Sequence, residues 1–426
     1  MNIKDFYKEY KNQLSICTDT RKLKKNDIFV ALKGDNFNGN EYAKQAIENG
    51  AIVAIVDEDK YKDESNNIYL VENSLTFLQK LANYHRNQLD IKIISLTGSN
   101  GKTTTKELIA NCLMKKYKIA FTKGNLNNHI GVPLTLLSIN KYHELAVVEM
   151  GANHPNEIKE LCKIANPDYG YITNFGKAHL EGFGSAEGVV KAKSELYDYL
   201  RKSKGTAFIN NDDNKQIQQS EGIQKITFAF ENKGDYNFSR ILREGKAGVS
   251  FNNVTIQSNL VGNYNQNNIA VAVSIALHFG IDINEIKDAV ENYIPKINRS
   301  QIVEKNGRTI IMDAYNANPS SMEVALKHFS YYDGTKAVLL GDMFELGKYS
   351  EEEHCKVLSL VKDLNFNEIY LLGDNFYNCA KKQDEHLHAF RNREDFQEFI
   401  INHPISSQSI LVKGSRGMQL EKINLD

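Results

Sequence analysis

The stretch T-G-S-N-G-K-T-T-T-K at residues 97–106 constrains this chain more than any other. A strand-like apolar run precedes it at 91–96, and a helix-like run follows at 107–117. Strand, glycine-bounded turn, lysine, hydroxyl and helix, in that order, form the cradle that holds nucleotide phosphates. Gly98 and Gly101 permit the tight turn, and Ser99 and Asn100 between them turn backbone N–H groups inward. Lys102 reaches the terminal phosphates. Thr103, followed by Thr104, opens the helix whose field favours anions, and its hydroxyl suits Mg2+. The spacing, G-x-x-G-K-T, is tighter than the general phosphate-loop count. A helix start in any parallel-sheet protein shares the turn, but it does not explain a lysine and three threonines after the second glycine.

The length, 426 residues, exceeds the ~250–300 at which single cores stop growing, so two or three units are expected. Lysine plus arginine (52) balances aspartate plus glutamate (53), which argues against nucleic acid or a stable membrane association as partner. The five cysteines, Cys17, Cys112, Cys162, Cys355 and Cys379, include no C-x-x-C pair, so neither a zinc site nor a disulfide framework is expected. The first ten residues are charged and do not resemble a signal peptide, and no apolar run reaches the ~18 residues of a span. A cytoplasmic ATP-using enzyme follows.

The elements sort into a small N-terminal α/β unit (1–88), a central ATP-binding unit (89–297) and a C-terminal unit (298–426). In the first, Thr20 and Arg21 occupy a polar turn before the apolar strand 28–32, and arginine's fork suits a diphosphate or carboxylate. In the second, the asparagine-rich loop 121–129 carries Asn125, Asn127, Asn128 and His129. Glu149 ends an apolar strand, the usual place for a magnesium ligand beside a phosphate loop. His179 lies in a strand-end loop, and Lys193 lies on a helix at 185–200, where a lysine is ordinarily solvated. Residues 238–258 read as a β-hairpin excursion at an antiparallel edge. Asn265 is free to read an adenine edge, and Asn267 or Asn268 caps the following helix; cap duty for all of them fits as well. The third unit repeats strand, polar loop and helix four times, which is a doubly wound, Rossmann-like pattern with its functional loops at one sheet edge. Asp313, Asp342, His354, Lys413 and Arg416 lie in or near those loops. The residues alone leave kinase, ligase and ATPase open.

The motifs T-G-S-N-G-K-T-T-T-K-E from Thr97, E-M-G-A-N-H-P-N-E-I from Glu149 and T-N-F-G-K-A-H-L-E-G-F-G-S from Thr173 resemble those of the Mur ligases. So do A-K-S-E from Ala192, D-A-Y-N-A-N-P-S-S-M from Asp313, L-G-D-M-F-E-L-G from Leu340 and V-K-G-S-R-G-M from Val412. The resemblance runs almost end to end. Asn100 and the Y-N-A-N-P block point within the family to the members that add D-alanyl-D-alanine.

That resemblance implies an α/β protein of three domains with a central P-loop ATPase-like parallel sheet. It implies a monomer that joins D-alanyl-D-alanine to UDP-N-acetylmuramoyl-tripeptide with ATP and Mg2+, through an acyl phosphate. Lys102, Glu149, His179 and Lys193 would be catalytic; Thr103 and Glu149 would hold the nucleotide's magnesium and His179 a second ion. Lys193 matches a lysine carbamylated in sister ligases. Asn265 and Asn268 match the adenine stretch, Arg299 an arginine on the phosphates, and Asp313 the ribose acid. Tyr315, Asn316 and Asn318 would line the wall shared by nucleotide and substrate. Thr20 and Arg21 would hold the UDP moiety, and residues 125–129 would face the muramoyl peptide. Lys413 and Arg416 would face phosphates or the dipeptide carboxylate. One stretch departs from the family: F-N-G-N-E-Y at 37–42 stands where an acid-bearing D-G-H-D-F run is usual.

Overall fold

The computed structural model describes residues 2–295, 301–380 and 386–425. Three larger sheets, two parallel and one mixed, follow one another along the chain. The first has four strands, ordered Ile16–Cys17, Ile28–Val30, Val53–Val56 and Ile68–Leu70. Its middle strands are buried on both faces, which is why they read as unbroken apolar runs.

The central sheet has seven parallel strands. Lys92–Thr97 lies between Leu145–Glu149 on one side and Tyr169–Ile172 on the other. The chain leaves Lys92–Thr97 for the sheet edge at Ile119–Phe121, returns beside it, then crosses to its other flank. That reversal is the topological switch point at which open α/β sheets bind ligands. It places Glu149, Thr173 and the phosphate loop side by side at the carboxyl ends of three adjacent strands.

The phosphate-loop helix, Lys102–Leu113, buries Leu108, Ile109, Cys112 and Leu113. They join the apolar cluster that contains Ile269, Val273 and Ile275 of the helix Asn265–His278. Each such side chain contributes roughly 1.5–3 kcal/mol. Leu108→Ala would therefore loosen the seat of the loop before it touched any ligand. The helix Asn265–His278 begins four residues earlier than its apolar run, so Asn265 and Asn268 are helical.

Residues 239–261 differ from the sequence expectation. They form a separate three-stranded antiparallel sheet, Ser239–Arg243, Lys246–Phe251 and Val254–Val261, not an edge of the central one. Its inner residues Ala247, Val249 and Ile256 pack into the same cluster as the helix Asn265–His278.

The C-terminal sheet has six strands, in the order Gln301–Lys305, Arg308–Asp313, Ser409–Lys413, Lys336–Gly341, Glu368–Leu372 and Leu387–Phe390. The first pair is antiparallel and the remaining pairs are parallel. The two outermost strands were not legible in the sequence. Both are short, and neither is a continuous apolar run. Cys355 and Cys379 form a disulfide between the helices Ser350–Asp363 and Asp374–Cys379, against the expectation of none. Their spacing of 24 residues carries no motif; only the folded helices bring them together. Among the described residues no helix is long and apolar enough to cross a membrane.

Candidate active site

Backbone geometry builds the phosphate loop. Gly98 has φ +142°, and a Cβ there would lie 1.9 Å from Thr173 Oγ1. Gly101 has φ +79°, and a Cβ would meet Asn268 Oδ1 at 2.9 Å. Both are positions that only glycine fills without strain. Between them the loop is pinned to the neighbouring strand end. The Ser99 amide donates to the Asn174 carbonyl (3.1 Å) and the Asn100 amide to Asn174 Oδ1 (3.1 Å). Thr173 Oγ1 and Asn174 Nδ2 donate back to the Asn100 carbonyl at 2.6 and 2.9 Å. Gly101 at the N-cap offers the following helix no side-chain cap, and such a helix start suits an anion. Lys102 curls over the loop, its Nζ donating to the carbonyls of Gly98 (2.6 Å) and Ser99 (3.2 Å).

Glu149 sits beneath the loop and is 1% exposed. Its Oε1 accepts from Thr103 Oγ1 (3.2 Å) and Asn127 Nδ2 (2.7 Å). Its Oε2 has no hydrogen-bond partner among the described residues. A buried carboxylate oxygen left unbonded beside a threonine hydroxyl is a hard-oxygen donor set that suits Mg2+. The residues therefore fit the magnesium that the phosphate loop implies.

These groups line one end of a cavity of about 1230 Å3 that is walled by all three units. From the central unit, Ser99 to Thr104, Asn125, Asn127, Asn128, His129, Glu149, His179, Asn265 and Asn268 line it. From the C-terminal unit come Asp313, Tyr315, Asn316, Asn318 and Lys413. The N-terminal unit contributes Leu75 and Gln79. Gly98 lies behind the loop. Arg416 stacks its guanidinium 5.3 Å from the Tyr315 ring, one layer back from the wall.

Several expected ligand contacts also bracket the site. Asn265 lines the cavity with its carboxamide already engaged: its Nδ2 donates to the Val261 carbonyl (2.7 Å) and its Oδ1 accepts from Asn268 Nδ2 (2.8 Å). Asn268 Oδ1 in turn accepts from Thr105 Oγ1 (3.0 Å). That buried chain ties the helix Asn265–His278 to the phosphate-loop helix. Asn128 spends its Oδ1 on the amides of Ile130 (3.1 Å) and Gly131 (2.9 Å), where the next helix starts. Asp313 accepts from Lys413 Nζ at 2.5 Å, so these two expected binders meet the cavity as a pair. Asp342 caps the helix Asp374–Cys379 through the amides of Asn375 and Phe376 at 3.0 Å each. His354 accepts from the Met343 amide (2.9 Å), fully buried, and both residues are structural.

Thr20 and Arg21 do not line the cavity. They lie in a surface turn where Arg21 Nε donates to Asp19 Oδ1 (2.8 Å), with the arginine side chain 88% exposed. Asn40, within the departing stretch 37–42, is fully buried and bonded to Asp57 (2.9 Å), so it holds the fold of that unit. Lys193 is 1% exposed and does not line the cavity; its Nζ donates to the carbonyl of Ala152, a lining residue, at 3.2 Å. Burial holds its ammonium well below the ordinary lysine pKa. Arg299 lies outside the described residues.

Contacts that the sequence does not disclose join the central and C-terminal units. Asn318 Nδ2 donates to Asn100 Oδ1 at 2.7 Å, and Asn100 Nδ2 faces Asn318 Oδ1 at 3.4 Å. The Lys177 amide donates to Ser320 Oγ (2.9 Å), and Lys177 Nζ pairs with Glu353 (2.8 Å). His179 Nδ1 is hydrogen-bonded to Glu345, whose carboxyl is held below its ordinary value by that bond. Glu345 sits in the quoted G-D-M-F-E-L-G motif, which was the available signal; nothing in the sequence marked Glu353.

Comparison with known proteins agrees with this arrangement. Family models match in three blocks: the Mur ligase family catalytic domain at 15–86, the Mur ligase middle domain at 96–276 and the Mur ligase glutamate ligase domain at 298–416. The UDP-N-acetylmuramoyl-tripeptide–D-alanyl-D-alanine ligase of Bacillus subtilis is 32% identical, over 96% of this chain and 92% of its own length. The crystal structure of MurF from Acinetobacter baumannii superposes with a TM-score of 0.87 at 32% identity, covering 96% of this chain and 92% of that one. MurF from Thermotoga maritima, solved in complex with ADP, gives 0.84 at 28% identity, covering 96% of each chain. The chain belongs to the Mur ligase family.

Proposed function

We propose that this protein joins D-alanyl-D-alanine to UDP-N-acetylmuramoyl-tripeptide, converting ATP to ADP and phosphate and yielding the pentapeptide precursor of peptidoglycan. The observation that carries this reading is the cavity. At about 1230 Å3 it exceeds the ~300–1,000 Å3 of single-ligand pockets. It has a phosphate cradle at one end and walls from three units, as a reaction among nucleotide, carboxylate donor and amine requires. The named relatives add the identity of the substrates.

The tripeptide carboxylate attacks the γ-phosphate and ADP leaves. The dipeptide amine then attacks the acyl carbon, phosphate departs, and the amine loses a proton. Both partners of the first step are anions, so their approach needs screening. Lys102 supplies a movable positive charge: its bonds to Gly98 and Ser99 carbonyls are within its own loop and can be exchanged for phosphate oxygens. The start of the helix Lys102–Leu113, with no side-chain cap at Gly101, holds the transferred phosphoryl group. Thr103 and Glu149 would hold Mg2+, and His179 a second ion; such ions supply charge neutralisation on phosphate oxygens. Asn127 keeps Glu149 turned toward the loop. Burial lowers the pKa of Lys193 and so favours the neutral amine that carbamylation needs.

The units 1–88, 89–297 and 298–426 divide the work as UDP-substrate binding, ATP binding and completion of the ligase site. Thr20 and Arg21 then serve the distal UDP end, outside the central cavity, while Arg416 and Lys413 serve the C-terminal wall. The protein works in the cytoplasm as a monomer. Purified protein should release phosphate from ATP only when UDP-muramoyl-tripeptide and D-alanyl-D-alanine are both present. Equal turnover with free D-alanine or glutamate refutes the assignment. Running the assay with lysine- and diaminopimelate-containing tripeptides identifies the third residue.

A further inference from the structure

One charged group of the opening motif has no part in the chemistry above. Lys106 lies one turn beyond Lys102 on the same helix and is fully buried. Its Nζ stands 3.8 Å from Glu149 Oε2, 3.7 Å from Glu107 Oε1 and 3.4 Å from the Gly124 carbonyl, above the Phe121 ring. A lysine taken wholly out of water is costly unless its charge is offset. Glu107 is a poor candidate for that role. Its side chain is 31% exposed and already accepts from Tyr293 Oη at 2.6 Å, so water and the tyrosine stabilise it. Glu149 is 1% exposed, and the oxygen nearest Lys106 is the one with no hydrogen bond. The ammonium therefore acts on Glu149, the fully buried carboxylate whose facing oxygen has no hydrogen bond.

This pairing has a consequence for cation binding. One carboxylate and one ammonium sum to no net charge, so a divalent ion arriving alone meets little attraction. Among the described residues no group of three or more His, Cys, Asp and Glu side chains is placed to hold a metal. The negative charge that a cation needs must come from elsewhere, and the phosphate cradle beside Thr103 is where polyphosphate would bring it.

We propose that Lys106 is a positioning residue that makes divalent-cation binding at Glu149 conditional on nucleotide, by holding the place of the cation's charge until phosphates arrive. The inference rests on Glu149 as the metal-facing carboxylate. Lys106 does not line the cavity. It keeps the nucleotide-free site from filling with metal, and it keeps Glu149 aimed at the loop.

The experiment is Mn2+ binding to the full chain, read from the paramagnetic resonance of free Mn2+, without nucleotide and with saturating ADP. Wild type should bind Mn2+ weakly alone and at least tenfold more tightly with ADP. Lys106→Met should tighten nucleotide-free binding at least tenfold and shrink the gain from ADP. Lys106→Arg, which keeps the charge, should behave as wild type. Wild-type protein that binds Mn2+ tightly without ADP overturns the proposal, even if Lys106→Met fails to fold. So does a folded Lys106→Met variant with unchanged nucleotide-free affinity, or a Lys106→Arg variant that tightens it. Glu149→Gln tests the premise separately: if it leaves the ADP-dependent Mn2+ site intact, the metal reading of Glu149 fails, whatever Lys106 does.

Discussion

On the central side of the cleft, the polar groups are bedded in the fold. Ser99, Thr103, Glu149 and Thr173 are all under 9% exposed, and the loop's own carbonyls and amides are tied to the adjoining strand end. On the C-terminal side, polar side-chain contacts reach across the same cleft beside shared apolar packing. They fall on Asn100 and on one loop, residues 174–184, through Asn318, Ser320, Glu345, Tyr349 and Glu353. The first wall cannot shift without unpairing buried groups, at about 1–3 kcal/mol each. The second also rests on apolar packing, since Leu180 and Phe183 share a buried cluster with Met343 and Leu346, but its partly exposed polar contacts, such as Lys177 at 43%, exchange with water at less cost. The phosphate cradle is thus preformed, and the C-terminal wall is the adjustable member that completes it around substrates.

Lys102 tests the preformed wall most severely. Lys102→Ala should lower turnover by about 10³, since its charge is used where transition-state charge develops. The thermal midpoint should stay within a degree or two, because the hydrogen bonds lost, to the Gly98 and Ser99 carbonyls, lie within the loop itself. Turnover retained in the phosphate-release assay removes Lys102 from the mechanism and with it the distinction between the walls.

Lys193 separates stability from activity behind that same wall. Lys193→Met replaces a buried amine holding one 3.2 Å hydrogen bond with an apolar chain of similar length. Unfolding by denaturant should show a gain of about 1–3 kcal/mol, because the buried amine no longer needs desolvation. Turnover should fall by about 10²-fold, as when a group supporting a metal site is lost. A variant that gains stability and keeps full activity makes Lys193 a structural residue only.

The contrast between the walls also governs what the sequence disclosed. The cradle was legible because every step of it is local: two glycines, a lysine and a threonine within six residues impose loop and helix together. Glu149 was legible because an acid ending an apolar strand is a local pattern as well. The contacts across the cleft join residues as far apart as Asn100 and Asn318, and no periodicity links them. The asparagines are ambiguous for a related reason. Asn265 and Asn128 carry the same carboxamide whether they read a ligand or hold a helix end, and only their burial and partners distinguish the two. The family resemblance placed the fold and the reaction. It could not separate residues that touch ligand from residues that hold those that do.

A double-mutant cycle sharpens the second wall. Asn100→Ala and Asn318→Ala each remove half of the reciprocal carboxamide pair between the cradle and the helix Pro319–Ser330. Each should lower kcat/KM for ATP about tenfold. The double variant should fall short of the summed effects by about 0.5–1.5 kcal/mol, the range for one hydrogen bond in contact. Strict additivity would mean that the two side chains serve the two units separately and that the clasp does not matter to closure.

The smallest effect belongs to Lys177. Its ion pair with Glu353 crosses the same gap, but the lysine side chain is 43% exposed. Glu353 also keeps Lys356 at 3.1 Å when Lys177 is removed, so no carboxylate is stranded. Lys177→Met should therefore cost only about 0.2–1 kcal/mol in kcat/KM, and the difference from wild type should vanish in high salt. The backbone contact from the Lys177 amide to Ser320 survives the substitution and holds the loop in register. A loss of tenfold or more that persists in salt would show that the C-terminal wall is as firmly bedded as the cradle, and the adjustable closure inferred for it would fall.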